Sequence, residues 1–164
     1  MYEKQLQWMP LGMVGVYLKI AFRFLQFVLG LTIFGIYCAD MVAATHKGAP
    51  PNSAWLLATT LGGLSAVTAV SYLLPCVHSY LFFWWDWIIV ILHAAVIGIF
   101  GKAYIANKKP TDNPKDFELF GPNFSRHRSV AYIDCISGIL WLGTAAMSTI
   151  IFLKIRRAKK GEEY

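Results

Sequence analysis

Between Lys47 and Asp86 the chain carries no Asp, Glu, Lys or Arg. A stretch of that length without formal charge is too long for one helix or strand of a water-soluble core. It fits a hydrocarbon span of about 20 residues followed by a turn and the entry to a second span. Composition agrees: 57% of the 164 residues are hydrophobic and 15% are charged, against roughly 25% charged in soluble domains. The chain reads as an all-α, polytopic membrane protein: an antiparallel bundle of four transmembrane helices.

Pro75 punctuates the charge-free stretch, because its ring removes a donor and clashes with the preceding turn. One span is therefore expected over residues 54–74 and another over 80–104. The latter opens on Phe82, Phe83, Trp84, Trp85 and Trp87, the aromatic crowding typical of a headgroup layer. Two further apolar runs give spans over residues 20–44 and 130–153. A cytosolic segment over 1–19 precedes them, with residues 8–22 suited to an interfacial helix. A short connection falls near 45–53, a longer outer loop at 105–129, and a basic tail at 154–164. No cleavable leader is expected, for want of a small-residue cleavage site after the apolar run.

The net charge of +6 sits at the ends of the apolar runs. Lys and Arg are nearly balanced between the two sides. Lys154, Arg156, Arg157, Lys159 and Lys160, however, lie tight against the last span, where cations weigh most in orientation. Both termini are expected in the cytosol, with the five tail cations touching anionic lipid at about 1 kcal/mol each. No nucleic-acid partner is expected.

The polar residues inside the spans can be ranked by depth at about 1.5 Å per residue. Arg23 and Asp86 fall at similar depth near the cytosolic side, so an ion pair is expected, with Gln26 one turn on adding a hydrogen bond. Asp134 falls near the outer end, where Lys102 is the long-reach partner. Asp40 falls at the outer boundary and is expected to be solvated. His93 falls near the middle, with only hydroxyls such as Thr32, Thr68 or Thr144 at its depth. Two readings follow: Asp86, His93 and Asp134 line a proton or ion path, or they are satisfied contacts that fix helix order. Unequal depths favour the second.

No metal or cofactor site is expected. The positions three and four residues after His93 are Val96 and Ile97, and no GxSxG, P-loop, HExxH or CxxC motif occurs, so no enzymatic activity is expected. Ala58, Gly62 and Ala66, and again Ala94 and Gly98, repeat at helical spacing. Such rows let backbones approach closely, between neighbouring spans or between copies. Cys76 is a candidate for palmitoylation. Cys38 and Cys135 share the outer region, as a disulfide or as two thiols. Asn123-Phe124-Ser125 is a sequon, expected to lie too close to the bilayer for glycosylation.

Several short segments resemble the MARVEL domain, in particular its fungal-type members. These are Arg23-x-x-Gln26 with Gly35-Ile36-Tyr37, Trp85-Asp86-Trp87 with His93 through Gly98 to Gly101, and Asp134 through Leu140-Trp141-Leu142. The likeness covers about residues 16–157. It implies a non-enzymatic protein organising membrane domains or vesicle traffic through contacts with lipid, sterol or anionic, and with itself or other membrane proteins. It places the chain in the plasma membrane or in secretory or endosomal vesicles. The cysteine pairs of claudins and tetraspanins are absent from these loops. The rival readings are a small transporter or channel, and an accessory subunit of a larger membrane complex.

Overall fold

The computed structural model describes residues 12–46, 48, 53–73, 83–106 and 124–161. These form four long helices: α1 (Gly12–His46), α2 (Ser53–Leu73), α3 (Phe83–Phe100) and α4 (Phe124–Gly161). A π-helical turn, Gly101–Ala106, continues α3. All four helices are long and apolar enough to cross a membrane.

Cross-bundle contacts fix the topology. Gln26 meets Thr144 while Asp40 meets Arg126, so α1 and α4 run antiparallel. Phe83 stacks on Phe152 and His93 meets Asp134, so α3 and α4 run antiparallel too. Gly30 packs on Gly62 and Ala66 while Met41 meets Thr59, which sets α2 against α1 in the same way. We call the end where α1 begins and α4 finishes the tail end, and its opposite the far end.

One pattern organises the core. On α1 the buried positions are Arg23, Gln26, Gly30, Ile33 and Tyr37, and on α3 they are Asp86, Ile89, His93, Val96 and Phe100. On α4 the row is His127, Val130, Asp134, Ser137, Trp141, Thr144 and Ser148; on α2 it includes Trp55, Ala58, Gly62, Ser65, Ala69 and Tyr72. Each row advances by alternate steps of three and four residues, the seam that lets facing helices interlock side chains. The π turn carries the α3 row on to buried Tyr104, one residue later than the alternation would place it. Large apolar side chains such as Phe24, Leu31, Val67, Ile91, Ile139 and Ile150 point outward, as hydrocarbon as the surrounding solvent requires.

Thr32, Thr45, Thr60, Thr68, Ser71 and Thr149 each donate their hydroxyl to the carbonyl four residues earlier. This local bond satisfies a hydroxyl within its own helix and makes it compatible with an apolar surround.

Three boundaries depart from the sequence reading. No separate interfacial helix precedes the first span within the described residues, since α1 is continuous from Gly12. The fourth helix begins at Phe124, inside the expected outer loop, and runs through the basic tail to Gly161. The third span is completed by a π-helical turn rather than by regular helix.

Candidate functional site: three polar layers along the bundle axis

The first layer lies toward the tail end. Arg23 donates to Asp86 at 2.9 Å and to Gln26 at 3.0 Å, and Gln26 in turn donates to Thr144 at 3.0 Å. The Arg23 guanidinium also lies between two rings, 4.5 Å from the Tyr72 centroid and 5.0 Å from that of Trp141. Tyr72 and Ser148 bring hydroxyls to the Asp86 carboxylate. All four helices thus contribute to one neutralised charge pair. Arg suits the task because its planar cation can stack on aromatic faces while its edge donates hydrogen bonds. The expected Arg23–Asp86 pair and Gln26 contact are both present.

The second layer occupies the middle. His93 Nδ1 lies 2.8 Å from Asp134 Oδ1, while Nε2 lies 3.3 Å from Ser65 Oγ and 3.4 Å from Ser137 Oγ. All four side chains are buried. Gly138 makes room for the ring: a Cβ there would sit 3.4 Å from His93 Cβ and 3.0 Å from Ile97 Cδ1.

This layer corrects two expectations. Asp134 does not reach Lys102, which is exposed; its partner is His93. The depth estimate failed because α4 starts at Phe124, so the helix rises roughly 15 Å before Asp134, as α3 does between Phe83 and His93. The hydroxyls at His93 belong to Ser65 and Ser137, whereas Thr32 and Thr68 bond within their own helices and Thr144 receives Gln26.

The third layer lies at the far end. Asp40 pairs with Arg126 rather than standing alone in solvent, and the same carboxylate lies 3.6 Å from His127 Nδ1. The His127 ring is surrounded by Tyr37, Trp55 and Tyr104, with centroids 6.1, 5.5 and 5.3 Å away. Asp40, Arg126 and His127 therefore tie α1 to α4. The sequence reading took this stretch of α4 for loop because it is polar. The seam position of His127, seven residues before Asp134, was the available signal.

The small-residue rows divide. Ala58, Gly62 and Ala66 are buried, and Gly62 meets α1 so closely that a Cβ there would lie 2.6 Å from Phe34 N and 2.9 Å from Gly30 O. Gly30, not singled out from spacing, is the other half of this contact. Ala94 and Gly98 lie on the exposed face of α3, and a Cβ on Gly98 would meet nothing within 4 Å. They do not pack neighbouring spans together, because the α3 seam runs through His93 and Val96 instead.

Lys154, Arg156 and Arg157 are exposed on the last turns of α4, and Lys159 and Lys160 lie on the same continuous helix. Cys38 and Cys135 are free thiols. Cys76 and Asn123 lie outside the described residues. No group of three or more His, Cys, Asp or Glu converges to hold a metal ion among the described residues. Comparison of the chain with models of known families, with curated proteins and with solved structures returned no match.

Proposed function

We propose that this protein is a non-enzymatic integral membrane protein that organises membrane domains or vesicle traffic through lipid and protein contacts within the bilayer. The observation that carries the reading is a division of labour between core and surface. Polar side chains deep in the bundle meet each other across helices, as Arg23–Asp86 and His93–Asp134 do. The outward faces of all four helices are apolar. Such a molecule spends its polar chemistry on its own architecture and offers lipid-facing surface, an exposed small-residue row at Ala94 and Gly98, and a basic helix end. The resemblance to MARVEL domains belongs to this proposal, as do cytosolic termini and residence in the plasma membrane or secretory and endosomal vesicles.

The order Asp134, His93, serine places a carboxylate, an imidazole and a hydroxyl in the sequence used by acyl-transfer enzymes. Acyl transfer also needs hydrogen-bond donors aimed at the developing oxyanion. Ser65 and Ser137 sit in helix interiors, where backbone N–H groups are committed to helical carbonyls, and both are fully buried. This supports the non-enzymatic reading. A transmembrane ion path would have to connect the first two layers, and Ile89 and Trp141, both fully buried, lie between them along α3 and α4.

The test is neutralisation of Lys154, Arg156, Arg157, Lys159 and Lys160 to Gln, followed by imaging of location and lateral clustering. The expected result is weaker retention on anionic membranes and redistribution. Unchanged location and clustering would reduce the tail to an orientation signal and remove lipid contact by the tail from the proposal.

A further inference from the structure

The seam of α1 extends one step beyond its fully buried residues. Four positions before Arg23, in register with the alternation, stands Lys19, which is half-buried. Residues four apart share a helix face, so Lys19 lies on the side of Arg23, about 6 Å nearer the tail end. Gln26 meets Thr144 on antiparallel α4, which puts Lys19 level with Ile151, close to the depth at which Phe83 stacks on Phe152. On the other flank α2 ends at Leu73, one residue past Tyr72, whose ring covers Arg23.

Lys19 has no counter-charge of its own. The carboxylates among the described residues are Asp40, Asp86 and Asp134, and they meet Arg126, Arg23 and His93. Lys19 makes no hydrogen bond or ion pair among the described residues. Lys102, Arg128, Lys154, Arg156 and Arg157 also lack a carboxylate, but all are exposed. Among the described side chains, only this unpaired cation is drawn in onto the seam. The C-terminal end of α2 offers it a partial charge of about one half. Two cations and one carboxylate at this end leave an excess of one positive charge.

Its depth indicates what supplies the missing anion. Tyr17 on α1 and Trp84 and Trp87 on α3 are exposed near this level. Arg23 meets Asp86 on parallel α3, so Trp84 lies within one turn of Lys19 in depth. Exposed aromatic rings of this kind mark the headgroup layer. We infer that Lys19 holds the phosphate of one anionic phospholipid at the tail-end mouth of the bundle. Its four-carbon stem lets the ammonium reach from the seam to the edge of α1 while presenting three donors to phosphate oxygens. Ile20, Phe24 and Leu31, exposed along α1, give the acyl chains an apolar track. The site deepens the lipid-contact reading proposed above and rests on it, yet uses none of the five tail cations.

The experiment uses the full chain in nanodiscs of phosphatidylcholine containing a minority of phosphatidylglycerol, with retained lipids counted by native mass spectrometry. The expected result is one phosphatidylglycerol per chain surviving activation that strips phosphatidylcholine. K19Q should lose it, whereas K19R and the variant with all five tail cations changed to Gln should keep it. Equal retention by K19Q and the parent overturns the site, as does equal retention of the two lipids by the parent. Loss in the tail variant but not in K19Q assigns the lipid to the tail and overturns the site while leaving the tail contact standing. If K19Q does not fold, 15N-labelled lysine side chains replace it. The Lys19 signal, identified by its loss in K19R, should move when phosphatidylglycerol is added and stay in place with inorganic phosphate. An unmoved signal overturns the site, an equal response to inorganic phosphate overturns a lipid as its occupant, and so does a retained protein that K19Q releases.

Discussion

Deleting the charge of Arg23 leaves Asp86 buried in a layer built around a cation. Losing one partner of a buried ion pair costs about 3–5 kcal/mol, so R23M should lower thermal stability in detergent or nanodiscs far more than a lipid-facing change such as I91V. The double charge swap R23D/D86R should recover part of the loss of either single reversal. Equal damage in the double and single variants would show that the pair does not act as a unit. Arg23 and Asp86 were legible in the sequence because both depths are counted from helix ends at the same side of the membrane. Asp134 was misplaced because Arg126, His127 and Arg128 read as loop. In the structure Arg126 and Arg128 point outward while His127 turns onto the seam. Charge alone marks where a helix nears water, not where it starts.

The four helices were legible from apolar runs and from Pro75, and α2 closes at Leu73, just before it. Which faces meet was less so. Small residues every four positions announce that a close approach is sterically open, yet they carry no direction. Ala58, Gly62 and Ala66 face a neighbour, whereas Ala94 and Gly98 face outward. The informative signal was the three-four alternation of buried positions, in which polar residues such as Gln26, His93 and Ser137 occupy seam sites that an apolar-only search skips. This gives a matched pair of variants. G62A places a methyl group against α1 backbone and should destabilise by about 1–3 kcal/mol, as overpacking does. G98A meets open space and should stay within about 0.5 kcal/mol of the parent. Thermal unfolding of both proteins in the same detergent decides it. Equal loss would mean that α1 and α2 do not approach as described.

At the scale of the whole molecule, apolar faces and a basic helix end surround a core whose ion pairs close within the bundle. The sequence yields this architecture because the hydrocarbon environment leaves few alternatives to helices. Function is less legible, because the outward apolar faces carry no chemical motif. The account's central claim is that the outward surface, not the core, does the work. Native mass spectrometry from nanodiscs containing anionic lipid and sterol tests it most directly, reading subunit count and retained lipid together. The account predicts a homo-oligomer that keeps bound lipid. A lipid-poor monomer, or a fixed ratio with a different protein needed for stability, would contradict it.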